Sequence, residues 1–345
     1  MLSAVAIGVQ VTMVLTLVGV SNGMLADIAN RSKGTGADIL VKPPGSSAFG
    51  FTTNFPEKII PFLRKQPHVA IATGTLVQPI GGLDSVTGIN LAEFNALSGG
   101  FRYLEGGPFK GPYEILVDDV YSRSNKKRAG DAVNILGRDW RVSGVVESGK
   151  LSRMFVQLPV LQDLTANNGK VTVGYLKLDD PANTKPVIAA LKSQLTDYPI
   201  YSMEEFVSLI SINNIAMLKN FIFVIITLGV LIGFLVVFLS MYTAVLERTR
   251  EIGVLKALGA SPMFILGVLL RETVVLAIIG SILGILFTYC TRWLITTFVP
   301  TMSQAIVPEW WPIASGIALI GSMLGAIYPG LKAARQDAIE ALSYD

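Results

Sequence analysis

The 345-residue chain holds one cysteine, Cys290, and one histidine, His68. A single cysteine rules out a disulfide within the chain, so any domain outside the cytoplasm must stand on its apolar core alone. The lone histidine, with the cysteine in an apolar helix, removes Ser-His-Asp, Cys-His and His-rich metal sites. No Gly-x-x-x-x-Gly-Lys-Ser/Thr run occurs, so a phosphate-cradling loop is lacking. Charge is scarce too: 15% of residues are charged and the net charge is +3, too little to imply nucleic acid. These absences predict a non-catalytic chain with no cofactor and no metal.

Three fragments invite chemistry and lose it on inspection. Leu97-Ser98-Gly99-Gly100 copies the start of an ATPase signature but reads as a turn. Asp118 and Asp119 adjoin on a strand, where neighbours point to opposite faces, and are expected to be solvated. The run Arg123-Ser124-Asn125-Lys126-Lys127-Arg128 reads as a solvated basic turn, with contact to anionic lipid or a partner as the other reading.

Apolar sequence is what the chain has in quantity: 51% hydrophobic residues and a mean hydropathy of +0.54. The strong runs are Met1–Val20, Phe221–Val245, Met263–Thr291 and Ile313–Tyr328, each read as a helix able to span a membrane. The first lacks a basic leader and a small-residue cleavage site, so it reads as a span rather than a signal peptide. Gln10 within it is tolerable when it faces a partner helix. Residues 21–218 between the first two spans are different, with 20 Lys and Arg against 18 Asp and Glu. Short strand-like runs there alternate with Gly, Pro and charged turns, an α+β pattern. Ser202–Ala216 is expected to be a helix continuous with the second span, and Pro329-Gly330 is expected to break the fourth. Trp293, Trp310 and Trp311 are placed as an aromatic belt on one side.

Four Gly-x-x-x-Gly pairs sit in the spans: Gly19/Gly23, Gly229/Gly233, Gly280/Gly284 and Gly321/Gly325. They predict close helix packing, within one chain or between two. Arg271 and Glu272 fall two to three turns into the third span, where ionisable groups face protein or water or snorkel to the surface.

Between the second and third spans lies Ala244–Ser261, AVLERTREIGVLKALGAS. Thr249 to Leu258 reads as a helix too short to span, with Ile252, Leu255 and Leu258 at three-residue steps. Gly259 supplies its stop, and Pro262 prevents simple continuation. Arg248, Arg250 and Lys256 put this loop in the cytoplasm. It is either an ordinary basic loop or a helix on which a cytoplasmic motor docks.

The residues Glu247-Arg248-Thr249-Arg250-Glu251-Ile252-Gly253-Val254-Leu255-Lys256-Ala257-Leu258-Gly259-Ala260 resemble the signature loop of MacB/FtsX-type ABC transporter permeases, including the LolC/LolE and DevC branches. Gly130–Ile135 with Trp140–Val146, and Phe155–Leu164 with Val171–Leu195, resemble more loosely the MacB-like core domain. The tail resembles the family ending through Ala333, Asp337, Glu340, Ala341 and Leu342, with Ala338 where a proline is usual. Family members usually carry an amphipathic segment ahead of the first span, and this sequence opens within that span.

The resemblance implies four transmembrane helices with an extracytoplasmic α+β domain inserted between the first and second, in the bacterial inner membrane. The expected divisions are 1–29 (first span and stalk), 30–218 (outer domain) and 219–345 (FtsX-like membrane domain). Within the last, 219–246, 263–291 and 310–328 are spans, 247–261 is the coupling helix and 329–345 is a cytoplasmic tail. It implies that Glu247, Arg248, Arg250, Glu251, Ile252, Gly253, Leu255, Lys256, Leu258 and Gly259 couple to a separate cytoplasmic ABC ATPase subunit. Glu272 matches an acidic family position, with a role in the bundle. The implied partners are a second permease copy (the same or a related chain), membrane lipid, and a periplasmic adaptor or outer-membrane channel. The implied activity is ATP-driven export or extraction of a lipid-linked, peptide or drug-like substrate; the alternative is an FtsX-like signalling subunit controlling cell-wall hydrolases.

Overall fold

The computed structural model describes residues 2–46, 53–81 and 84–335. The tail residues Asp337, Ala338, Glu340, Ala341 and Leu342 lie outside them. The helices are α1 (Leu2–Lys33), α2 (Ile59–Arg64), α3 (Leu91–Ser98), α4 (Asp119–Asn125), α5 (Leu158–Leu164), α6 (Thr184–Gln194), α7 (Met203–Leu209), α8 (Ala216–Glu247), α9 (Thr249–Ala257), α10 (Pro262–Phe298) and α11 (Trp310–Arg335). The strands are β1 (Ile39–Val41), β2 (Phe55–Pro56), β3 (Val69–Gly81), β4 (Asp84–Ile89), β5 (Tyr103–Gly106), β6 (Glu114–Asp118), β7 (Ala132–Ile135), β8 (Arg138–Val146), β9 (Met154–Gln157), β10 (Lys170–Val171), β11 (Val173–Leu178) and β12 (Ile200–Ser202). The chain divides into two compact units, one of 1–23, 215–297 and 302–345, the other of 24–214 and 298–301.

The first unit is a bundle of the four helices long and apolar enough to cross a membrane: α1, α8, α10 and α11. Glycine sets how closely they approach. A Cβ on Gly280 would lie 2.7 Å from the Ala4 carbonyl oxygen and 2.8 Å from Ile7 Cβ. One on Gly284 would lie 2.6 Å from Val11 Cβ, so α10 meets α1 along glycine. Gly229 and Gly233 of α8 face Met13 and Gln10 of α1, while Gly321 and Gly325 of α11 face Val230, Phe234 and Phe238 of α8. Gly19 and Gly23 meet the backbone of Ser303 and Ala305, in the segment leading into α11. All four glycine pairs thus pack inside this one chain. Polar groups add to the seam: Thr12 Oγ1 donates to the carbonyls of Gly8 and Gly284 at 2.7 and 3.0 Å.

The second unit is an α+β domain. Its main sheet runs β12-β1-β11-β3-β4-β9-β6-β8-β5, with β7 added on β8, and β10 pairs separately with β2. β3 is long enough to serve two partners, pairing antiparallel with β11 over Val69–Thr75 and with β4 over Leu76–Gly81. β9 joins β4 in parallel, a pairing that needs a crossover, and β6 joins β8 likewise. The core under the sheet holds Ile39, Leu63, Leu76, Ile115, Trp140, Leu161 and Leu176, all fully buried. Trp140 satisfies its indole N–H on the Ile135 carbonyl at 3.1 Å, as a buried tryptophan must.

Several expectations need correction. The helix before the second span stops at Leu209, and α8 starts afresh at Ala216. Asn214 Nδ2 donates to the Leu209 carbonyl at 3.2 Å and Asn214 N–H to the Ser211 carbonyl at 3.1 Å. Side chains of this kind offer the backbone an alternative to helix. Pro329 does not break the fourth helix: α11 carries it internally and continues to Arg335. Pro329, Gly330, Ala333 and Ala334 are all buried there, and packed neighbours make a proline tolerable within a span. The basic run at 123–128 is half helix, since Arg123–Asn125 close α4 and Lys126 caps it at φ +53°. Leu97 and Ser98 end α3, with Gly99 as its left-handed cap.

Candidate functional site

The short helix between the second and third spans is built by local chemistry. α8 ends and α9 begins at Arg248, whose φ of −101° and ψ of 14° are not helical. Thr249 Oγ1 folds back to the carbonyls of Val245 and Leu246 at 3.0 and 2.9 Å, and is buried. α9 then runs for nine residues and stops at Gly259, whose φ of +92° favours glycine. There Ala260 N–H donates to the Leu255 carbonyl and Gly259 N–H to the Lys256 carbonyl, at 3.0 and 2.9 Å. This double bond pattern is a Schellman stop. Ser261 Oγ accepts from Phe264 N–H at 3.2 Å and caps α10, with Pro262 in its first position.

The three apolar residues at three-residue steps do not share one covered face. Ile252 is buried, as is Gly253, whereas Leu255 is exposed and Leu258 is 81% exposed. Val254 joins them at the surface. Glu247, Arg250 and Glu251 are also exposed, and Lys256 is half-buried. One side of α9 therefore anchors in the bundle, and the other presents leucine and valine among charges of both signs. A cavity of about 110 Å³ lies between α9 and α10, lined by Arg248, Ile252, Leu255, Phe264 and Glu272 among others.

Arg248 and Glu272 come together here. Arg248 Nη1 lies 3.2 Å from Glu272 Oε2, tying the α8–α9 joint to α10. Both side chains are more than a third exposed, so the pair adds little stability but fixes geometry. Arg271 next to it is exposed. Glu272→Lys is expected to leave the fold intact while loosening the α8–α9 joint, and adding Arg248→Glu to it should restore much of the loss. Amide hydrogen exchange over 246–252 on the two single variants and the double variant measures this coupling.

A second charged cluster, in the α+β unit, was not visible in the sequence. Asp118 is buried, not solvated, because it ends β6 and caps α4 with its side chain, accepting from Tyr121 N–H at 2.6 Å. Arg153 Nη1 stands 3.7 Å from Asp118, and its Nη2 donates to Asp27 and to the Thr301 carbonyl at 3.0 and 3.2 Å. Arg31 pairs with Asp27 at 3.1 Å. Burial pushes the Asp118 carboxyl up to about 6, although the Tyr121 N–H and Arg153 oppose it. A raised carboxyl stabilises the fold in its protonated form. Its contribution is complete below about 4, the unfolded value, and lost as pH rises through about 6. Asp118→Asn keeps the cap and should remove this slope, worth at most about 3 kcal/mol, in unfolding measured from pH 4 to 7.

Four membrane-crossing helices, an α+β domain inserted after the first and a short capped helix between the second and third define a multi-pass membrane subunit with a large domain outside the cytoplasm. Family models match across most of its length: the MacB-like periplasmic core domain over residues 1–194 and the FtsX-like permease C-terminal region over 223–338. The chain belongs to the MacB/FtsX family of ABC transporter permeases, in the inner membrane. It is 24% identical over 378 aligned residues to the macrolide export ATP-binding/permease protein MacB of Escherichia coli, covering 99% of this chain and 58% of that protein. It thus spans little more than half the length of that relative. It is 25% identical over 335 residues to an uncharacterized ABC transporter permease of Mycobacterium bovis, covering 94% of this chain and 90% of that one. The solved periplasmic region of MacB from Actinobacillus actinomycetemcomitans aligns at a TM-score of 0.39 and 17% identity, covering 50% of this chain and 92% of that one.

Proposed function

We propose that α9 is the coupling helix, the element through which a cytoplasmic ABC ATPase drives this permease. The observation that carries the reading is the two-sided burial of α9: Ile252 and Gly253 are held in the bundle while Val254, Leu255 and Leu258 lie bare among Arg250 and Glu251. A nine-residue helix cannot cross a bilayer, and its basic residues favour the cytoplasmic side. Motion imposed on α9 passes to α8 through the Arg248 joint and to α10 through Glu272. The ATPase comes from outside this sequence, and the working unit pairs this permease with a second copy or a related chain. Resemblance to a macrolide exporter supports export or extraction of a drug-like, peptide or lipid-linked substrate handled on the outer face, with an adaptor or outer-membrane channel as further partner.

The test is co-purification of the ATPase with the wild-type chain and with Glu251→Arg and Gly253→Trp. Assembly with the wild type and its loss in both variants supports docking at α9; normal assembly in both refutes it.

A further inference from the structure

The cavity of about 110 Å³ between α9 and α10 has walls of mixed chemistry that docking at α9 does not use. Its floor is apolar, with Ile252, Ile265 and Leu269 buried. Leu255, Phe264 and Val268 also line it and are each more than a third exposed, so hydrocarbon rims its mouth on both helices. Three charged side chains complete it: Arg248 at the α8–α9 joint, Glu251 in the first turn of α9 and Glu272 on α10. Arg248 faces both Glu272 oxygens through Nη1 alone, at 3.4 and 3.2 Å. A guanidinium carries five N–H donors. The Arg248 side chain is half exposed, and among the described residues its Nε and Nη2 have no acceptor. Glu251 is exposed and makes no ion pair within 4 Å among the described residues.

We propose that this cavity holds the phosphoethanolamine headgroup of a membrane lipid, with the ammonium on Glu251 and the phosphate on Arg248. Size sets the scale of the ligand. The space far exceeds the roughly 10–15 Å³ that admits one water and falls below the roughly 300 Å³ of a site for a whole drug-sized molecule. One headgroup fits, with its acyl chains left outside. Charge sets the kind of ligand. The open groups are one carboxylate and the free edge of one guanidinium, so the ligand brings a cation and an anion together. A primary ammonium donates N–H bonds to a carboxylate, which quaternary choline cannot, and a phosphate fits the guanidinium edge. A glycerol headgroup brings no cation. A metal ion fits worse, because the described residues hold no group of three His, Cys, Asp or Glu placed to bind one. The apolar rim favours a lipid over free phosphoethanolamine, since Leu255, Phe264 and Val268 offer hydrocarbon to the first carbons of its chains.

The walls give the site a consequence. Glu251 belongs to α9, Phe264 and Val268 to α10, and Arg248 to the joint with α8. A headgroup held among them braces α9 against α10 beside the Arg248–Glu272 pair. Leu258 does not line the cavity and stays bare for a protein partner. This binding property goes beyond docking at α9, and its test involves no ATPase.

The purified full chain, stripped of lipid in detergent, is titrated with dioleoyl phosphatidylethanolamine, phosphatidylcholine and phosphatidylglycerol and with free phosphoethanolamine, and bound adducts are counted by native mass spectrometry. Phosphatidylethanolamine should bind at least roughly tenfold tighter than each of the other three. Glu251→Gln should bring it down to the level of phosphatidylcholine. Val268→Trp fills the cavity from an exposed position, leaves the charged groups in place and should weaken phosphatidylethanolamine by roughly tenfold or more. Ile320→Trp, at an exposed position on α11 away from the cavity, should leave its affinity unchanged. Equal binding of phosphatidylcholine or phosphatidylglycerol overturns the pairing of charges, and equal binding of free phosphoethanolamine overturns the lipid as occupant. Wild-type affinity in Val268→Trp, or an equal loss in Ile320→Trp, overturns the site even where Glu251→Gln fails to fold.

Discussion

Gly284→Leu is expected to prevent the bundle from closing. The Cβ alone would lie 2.6 Å from Val11 Cβ and 2.7 Å from the Gly8 carbonyl oxygen, inside any tolerable contact. The obstructing Gly8 oxygen is backbone, so relief requires separating α1 from α10 and losing the Thr12 bond to Gly284. Overpacking of this kind costs about 3 kcal/mol or more, a large share of the roughly 5–15 kcal/mol that holds a domain together. Gly280→Leu should act similarly, since its Cβ meets Ala4 O and Ile7. Gly267 and Gly316 serve as controls, with nothing within 4 Å of an added Cβ. Alanine at either control site should shift stability by no more than about 1 kcal/mol, and in the stabilising direction if at all. Thermal unfolding of the purified chain in detergent measures all four. Equal effects at Gly284 and Gly267 would show that the glycines are there by composition rather than for packing.

Leu258→Asp should leave the fold intact and abolish productive docking. Leu258 is 81% exposed and touches little, so the substitution should cost no more than about 0.5 kcal/mol of stability. Once an ATPase covers that face, the same carboxylate is stripped of water against an apolar partner. Burying an unpaired carboxylate in an apolar contact costs at least about 2 kcal/mol, so affinity should fall roughly thirtyfold or more. Leu255→Asp should be milder, since Leu255 is half as exposed and lines the α9–α10 cavity. An interfacial helix lying in lipid predicts another pattern: both substitutions would weaken membrane contact and leave ATPase affinity unchanged. Affinity measured between the purified permease and ATPase separates the two.

The features written in contiguous residues were legible before the structure. Four long apolar runs are long apolar helices, and Gly259-Ala260-Ser261-Pro262 reads directly as a helix stop followed by a capped start. What sequence could not tell is where distant residues meet. The Gly-x-x-x-Gly pairs announce close packing but not whether the partner is α1 of the same chain or another molecule. Arg248 and Glu272 lie 24 residues apart and pair only because α9 turns the chain back on itself. Asp118 misled because a strand end and a helix cap look alike in one dimension. On a strand it alternates with Asp119; as a cap it is buried beneath α4, where Arg153 reaches it from another loop. The same limit hid the break at 210–215, where an asparagine side chain closes a turn that apolar periodicity alone would carry through as helix.

Docking at α9 is tested most directly by a photo-activated crosslinking residue in place of Leu258, with the chain in its own membrane and irradiated before extraction. The predicted result is a crosslink from position 258 to an ABC ATPase, absent when the crosslinker replaces Trp293, an exposed residue near the opposite end of α10. Adducts with lipid alone from position 258, or equal capture of the ATPase from position 293, would contradict it.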